Sequence, residues 1–338
     1  HSQATAIYTR LVEQHPDSDT LRRNALVALE YDPVVSQAQR FEAAIQWGQW
    51  AISQAGGARP RPEMKGLSGR APRVGFVSAD FCQHTVGLFV KDVLAALGQC
   101  WPVYVYHARK QEDWVSKLIQ TTCHWRSVVD MDDAMLADQI RQDEIDILVD
   151  LSGHTAGSRL TAFAHRPAPV MVSWLGYFAT TGLPYVDAVL LDAGHAGPEV
   201  GESFVERVVA LPAGRFFYKS VPWAPKTVAM PPCLSRGYVT FGCFNNTAKL
   251  NDTVIALWAR VMAAVPDSRL MLKWRTFNDT AFGQRIYAAF AAQGIDVARI
   301  ECRGSGFHVD VLKEYADIDI ALDPFPFTGG LTSCEALW

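Results

Sequence analysis

Arg73-Val74-Gly75-Phe76-Val77-Ser78-Ala79-Asp80-Phe81-Cys82-Gln83-His84-Thr85 decides how the chain is read. Residues 73–78 are a short apolar, β-rich run, the pattern of a strand buried on both faces. Residues 79–85 are a polar loop, and residues 86–97 continue with helical periodicity. A strand, a loop and a helix in that order open a parallel α/β layer. The unit then repeats. Further strands are predicted at Val103-Tyr104-Val105-Tyr106, Trp125-Arg126-Ser127-Val128-Val129, Ile145-Asp146-Ile147-Leu148-Val149, Val170-Met171-Val172-Ser173-Trp174 and Ala188-Val189-Leu190-Leu191, with helical stretches such as 132–142 between several of them. This alternation predicts a parallel sheet covered by helices on both faces.

The pattern restarts near Gly237. Strands are expected over 238–244, 269–274, 300–302 and 318–322, and helices over 251–265, 282–293, 309–315 and 331–338. The last helix has no return strand after it, so a chain continuing past Trp338 is expected, as is one beginning before His1. Upstream of the first strand, residues 56–72 are rich in Gly, Pro and Arg and read as a linker or exposed loop. Residues 5–53 show amphipathic helical spacing, with Ile7, Leu11, Val12, Leu21, Ala25, Leu26, Leu29, Phe41, Ala44, Ile45 and Trp47 as the apolar positions. The expected organisation is a helical lead-in at 1–55, a linker at 56–72, a first Rossmann-like domain at 73–235 and a second at 236–338. A length of 338 residues agrees with about two domains at roughly 150 residues each.

Composition narrows the class. Hydrophobic residues make up 49% and charged residues 20%, which excludes wholesale disorder. With 31 basic and 35 acidic side chains the net charge is −4, so neither nucleic acid nor an anionic membrane is the expected partner. No apolar run approaches a membrane span and no secretory leader is present, which points to the cytoplasm. The seven cysteines are scattered, without C-x-x-C spacing, and read as buried reduced thiols rather than zinc ligands.

Ligands of open parallel sheets bind beyond the carboxyl ends of the strands, so the loops there hold the candidate chemistry. Asp80, His84 and Thr85 follow the first strand. His84 suits a general base, a hydrogen-bond donor to a sugar hydroxyl with Asp80 orienting it, or simply a loop cap. Ser152-Gly153-His154-Thr155 is a glycine-bracketed turn, where His154 either meets a ligand or faces solvent. Trp174-Leu175-Gly176-Tyr177 reads as a pocket wall or as apolar packing. Phe244-Asn245-Asn246-Thr247-Ala248-Lys249 leaves the first strand of the second domain, and a lysine there can neutralise phosphate or remain on the surface. Gly304-Ser305-Gly306-Phe307-His308 and Thr328-Gly329-Gly330-Leu331-Thr332-Ser333 each precede a helix. The backbone of the second can cradle a diphosphate, with Glu335 one turn on and able to hold a ribose hydroxyl. Neither domain has G-x-G-x-x-G after its first strand or a P-loop, which lowers NAD-dependent and ATPase readings.

From about Leu26 to Trp338 these segments resemble the protein O-linked N-acetylglucosaminyltransferase family, glycosyltransferase family 41, and look like a bacterial member. The residues that carry the resemblance are 73–81 with His84, 147–155, Arg166-Pro167-Ala168-Pro169 with 174–177, and Phe244-Asn245-Asn246 with Lys249. The resemblance implies a GT-B fold of two Rossmann-like halves behind tetratricopeptide repeats. It also implies inverting transfer of N-acetylglucosamine from UDP-GlcNAc to Ser or Thr hydroxyls of proteins, without a metal cofactor. By position, Lys249 and Asn246 match donor-phosphate contacts, and His308 matches the histidine at the uracil. Gly329, Gly330, Leu331, Thr332 and Ser333 match the segment under the pyrophosphate, and Glu335 an acid at the ribose. His84 and Asp80 match a His and Asp at the reaction centre, while Leu175 and Gly176 match the sugar pocket.

Three positions depart from animal members: Gly-Gly-Leu-Thr replaces a segment carrying His and a second Thr, Val311 stands for an arginine, and His154 for a tyrosine. D-x-D strings at Asp17/Asp19, Asp130/Asp132 and Asp317/Asp319 lie outside the singled-out loops and read as chance spacings. The hydroxyl proton has three candidate acceptors, His84, Asp80 or a donor phosphate oxygen. The alternatives are transfer of fucose from GDP-fucose and a catalytically silent peptide-binding scaffold. Acceptor identity and oligomeric state leave no signature in the sequence.

Overall fold

The computed structural model describes residues 1–197, 199–226 and 230–338. The chain divides into two compact units, His1–Lys219 and Ser220–Trp338.

The first unit opens with three helices, α1 (Ser2–Gln14), α2 (Asp19–Tyr31) and α3 (Gln37–Gln54). Ser18 caps α2, and a reciprocal box of Ser36 and Gln39 starts α3. The buried positions of α3 are Ala44, Trp47, Gly48 and Ala51, one helical stripe. That stripe meets the rest of the unit backbone to backbone. A Cβ on Gly48 would stand 1.9 Å from the Gly182 carbonyl oxygen, and one on Gly182 (φ +72°) would stand 1.9 Å from that of Ala44. Residues 56–72 also lie against this unit. Arg61 pairs with Asp187 at 2.6 Å, and Arg70 holds both carboxylate oxygens of Asp146 at 2.6 and 2.8 Å.

Seven parallel strands follow: β1 (Val74–Ser78), β2 (Val103–His107), β3 (His124–Ser127), β4 (Ile147–Asp150), β5 (Val170–Trp174), β6 (Ala188–Asp192) and β7 (Arg207–Leu211). Their spatial order is β3-β2-β1-β4-β5-β6-β7. Four helices connect them, α4 (Thr85–Gly98), α5 (Trp114–Gln120), α6 (Asp133–Gln142) and α7 (Leu160–Phe163). Because β1 pairs with both β2 and β4, the strand order reverses there, and the loops after β1 and β4 flank that point.

The second unit holds α8 (Cys233–Arg236), β8 (Thr240–Cys243), α9 (Asp252–Ala264), β9 (Arg269–Lys273), α10 (Thr280–Ala291), β10 (Ile300–Arg303), α11 (His308–Glu314), β11 (Ile320–Ala321) and α12 (Leu331–Leu337). Its parallel sheet runs β10-β9-β8-β11 around a core of Phe241, Trp258, Leu270, Leu272 and Phe290. The order reverses at β8, which aims the loops after β8 and β11 at each other.

The expectation of uniformly buried thiols needs correction. Cys82 and Cys243 are buried, but Cys100 is exposed, just beyond the end of α4. Among the described residues no helix is long and apolar enough to cross a membrane.

Candidate active site

The loop after β1 is built around a buried acid. The Asp80 N–H donates to Ser78 Oγ at 3.0 Å, and Ser78 Oγ lies 3.0 Å from Ser152 Oγ, tying this loop to the one after β4. The Asp80 carboxylate is nearly inaccessible. Its Oδ1 stands 3.3 Å from Arg109 Nη2 and its Oδ2 3.5 Å from His84 Nδ1. His84 is the N-cap of α4: the Val86 N–H donates to its Nδ1 at 3.3 Å. A ring nitrogen that accepts a backbone N–H carries no proton, so the neutral ring holds its proton on Nε2. His84 and Thr85, the first residue of α4, are exposed. Gly87 lets the helix start dock on the loop, since a Cβ there would lie 2.1 Å from the Cys82 carbonyl oxygen.

At the end of β4, Asp150 accepts the N–H groups of Ser152 (3.2 Å) and Gly153 (2.7 Å), and burial pushes its carboxyl up to about 6. His154 does not face solvent. It is 1% exposed, lies edge-on to Trp47 of α3 at 4.4 Å between centroids, and meets Tyr177 at 5.2 Å. Its Nε2 donates to the Thr181 carbonyl at 2.9 Å, and burial drives its pKa down to about 3. The ring is therefore a neutral spacer between α3 and the loop after β5. In that loop Leu175 has φ +72°, and the Gly176 N–H closes back on the Trp174 carbonyl at 2.9 Å. Such a turn around a branched residue is strained by about 1–2 kcal/mol. Gly176 is required by close approach, because a Cβ would fall 1.7 Å from the Leu151 carbonyl oxygen.

In the second unit the loops after β8 and β11 share one polar network. Lys249 Nζ donates to the Thr328 carbonyl at 2.7 Å and to Asn245 Oδ1 at 3.1 Å, and sits 4.4 Å from the centroid of Phe327. Among the described residues it forms no ion pair. Burial holds its pKa below the ordinary lysine value, against an opposing pull from Asp323. Asn245 Oδ1 also accepts from Thr332 Oγ1 at 3.0 Å, and its amide donates to Asp323 at 3.3 Å. Asp323 in turn accepts the Gly329 N–H (2.6 Å) and the Ser333 hydroxyl (3.0 Å). Gly330 and Leu331 form the start of α12. Asn246 turns away from this network and caps the short turn at Thr247–Lys249 through Ala248 N–H.

His308 and Glu335 meet. His308 Nε2 donates to Glu335 Oε1 at 2.7 Å, and Trp223 Nε1 donates to His308 Nδ1 at 3.3 Å. Both contacts require the same neutral tautomer, so the ring is fixed by partners on either side.

Sequence reasoning passed over Arg109, Trp223, Asn245 and Asp323 as functional positions. Asn245 stood inside a quoted motif, and Asp323 two residues past a strand end, which is the signal that marks it. Four of the six D-x-D aspartates are engaged elsewhere: Asp19 with Arg23, Asp132 as the cap of α6, Asp317 with Arg236 and Arg303, and Asp319 with the N–H groups of Cys233 and Thr240.

Each of the two parallel α/β units thus carries a polar cluster beyond the carboxyl ends of its strands. Residues 60–220 match the profile of glycosyl transferase family 41. It is 35% identical over 335 residues to the Arabidopsis thaliana protein named probable UDP-N-acetylglucosamine–peptide N-acetylglucosaminyltransferase SPINDLY, covering 96% of this chain and 36% of the relative. The Oryza sativa subsp. japonica protein of the same name is 32% identical over 339 residues, with 98% and 36% covered. A solved Thermobaculum terrenum O-GlcNAc transferase mutant superposes with a TM-score of 0.89 at 31% identity, covering all of this chain and 64% of that one. The chain thus spans about a third of the length of the curated relatives it matches.

Proposed function

We propose that this chain carries the catalytic halves of an inverting transferase that moves N-acetylglucosamine from UDP-GlcNAc to Ser or Thr hydroxyls of proteins. The observation that carries the reading is Lys249, a half-buried cation whose direct hydrogen-bond partners are neutral acceptors. A half-buried charge of that kind is stabilised by a ligand of opposite sign, and the leaving diphosphate has it. In this reading Lys249, with Thr332 and the backbone before α12, meets the negative charge that grows on UDP as the sugar gains oxocarbenium character, with no metal required. The His308–Glu335 pair takes the nucleoside, with Asn246 beside the phosphates. Leu175 and Gly176 shape the sugar pocket, and His154 supports them from behind.

His84 offers Nε2–H, a donor, so it orients a sugar or acceptor hydroxyl. Asp80 is held by Arg109 and stands beside the ring, which the Val86 N–H orients. The hydroxyl proton then passes to a phosphate oxygen of the donor. The organisation that suits this chemistry is GT-B, with residues 73–235 and 236–338 as its halves, residues 56–72 as connector and 1–55 as the end of a tetratricopeptide array. A cytoplasmic setting fits the unpaired cysteines.

The test is transfer of radiolabelled sugar to a peptide by the full-length protein, with UDP-GlcNAc and GDP-fucose run in parallel and the product anomer assigned by NMR. Transfer from UDP-GlcNAc with inversion is expected. Transfer from GDP-fucose alone, or none from either, overturns the reading.

A further inference from the structure

Arg215 follows β7 and is 4% exposed. Arginines that deep are ordinarily paired with acids. Among the described residues this one forms no ion pair. Its Nη2 instead donates to two backbone carbonyls, Leu175 at 3.3 Å and Tyr177 at 3.2 Å, and its Nε is buried without a partner. Asp192 attracts it, but the hydrogen bond it takes from Arg215 is from the backbone N–H, at 3.1 Å, its other contacts being to His195. A tie between carbonyls needs no charge, and a buried guanidinium is a costly way to make one. What it ties is unusual: the two carbonyls flank Gly176 in the turn where Leu175 is held at φ +72°. The connection is reciprocal, since Trp174 Nε1 donates to the Arg215 carbonyl at 3.2 Å. The neighbouring Phe216 lies under the guanidinium at 5.1 Å and stacks on Phe89 of α4 at 4.8 Å and 15°. Residues 215–216 therefore grip both the strained turn after β5 and the helix that His84 caps.

We propose that Arg215 is a positioning residue that holds the Leu175–Gly176 turn in its strained shape and so sets affinity for the transferred sugar, separately from the nucleotide. This rests on the reading that Leu175 and Gly176 line the sugar pocket. A planar guanidinium presents its N–H groups in a fixed fork, whereas an ammonium on a flexible stem would hold the same two carbonyls less rigidly. Lysine is therefore not equivalent here, and it keeps the charge and stem if loss of either threatens folding.

Arg215→Lys and Arg215→Met are compared with the parent in the full-length protein by calorimetric affinity for UDP and for UDP-GlcNAc, by KM and kcat of transfer, and by hydrogen exchange at the Gly176 and Tyr177 amides. In both variants KM for UDP-GlcNAc should rise about tenfold or more, affinity for UDP should stay within about twofold, and the two amides should exchange faster. A merely structural role would lower thermal stability and leave the ratio of the two affinities unchanged, and that result overturns the proposal. So do amides that exchange at the parent rate. If the parent neither binds UDP-GlcNAc nor transfers its sugar, the functional reading fails, while the amide exchange still reports whether Arg215 holds the turn.

Discussion

The two polar clusters handle charge in opposite ways. In the first unit the buried acid is answered by a cation or by donors of the protein itself: Asp80 by Arg109, Asp150 by two backbone N–H groups. In the second unit Lys249 touches a carbonyl, an amide oxygen and a ring face, and feels Asp323 only without direct contact. The first cluster is complete and acts by shape and hydrogen bonding. The second has a cation with no acid in direct contact among the described residues, and an anionic ligand would supply that contact.

The sharpest way to break that contrast is Lys249→Met. Transfer should fall by about 10³-fold, while the melting temperature should not fall. The sign follows from the depressed pKa: a lysine whose folded-state pKa lies below its ordinary value penalises the fold while charged, and the penalty disappears only as pH rises past that ordinary value. Clear destabilisation by the methionine would show the charge to be structural. Next in size, His84→Ala should lose about 100-fold in kcat and His84→Gln only about tenfold, because glutamine still donates a hydrogen bond. Equal losses would mean that His84 acts as the base after all, and the contrast between the clusters would weaken.

Gly48→Ala examines whether the first cluster depends on its packing. It should destabilise the first unit by about 2 kcal/mol, read as faster hydrogen exchange in residues 37–54 and 180–183, and unchanged exchange there would refute the close contact. The smallest effect concerns pH. Burial pushes Glu30 up to about 7, against Arg40, so its stabilisation is present below its ordinary value of 4.5 and is lost as pH rises through about 7. Glu30→Gln should remove a stability slope of at most about 1.4 kcal/mol per pH unit across that window, measured by thermal melts. His154 runs the other way. Its neutral form stabilises the fold above about 6.5, and that contribution is lost as pH falls towards about 3, so the acid limb should survive the Glu30 substitution.

Local signals made most of the architecture legible. The apolar runs at 74–78, 147–150 and 170–174 announce buried strands, and the loops after them hold the polar groups. Arg207-Val208-Val209-Ala210-Leu211 was missed although it too holds an apolar run; as an edge strand it keeps exposed positions at Arg207 and Ala210. α5 and α7 are only 7 and 4 residues long, too short for a helical period to register. What stayed hidden is mostly partnership at long range. Asn245 and Thr332 are 87 residues apart, Arg215 and Leu175 are 40, and His154 is buried by a tryptophan on a helix ahead of the sheet. Spacing in one dimension carries no trace of such pairs.

The backbone contact between Gly48 and Gly182 bears on protein engineering. Residues 56–72, with their glycines and prolines, look like the natural seam at which to graft a foreign recognition array onto this chain. A chimera joined there would lose α3, the cap over the turns after β4 and β5, and would leave Trp47's place beside His154 open to water. The workable junction lies upstream, in the four residues between α2 and the Ser36 cap, so that redirected acceptor choice travels with an intact roof.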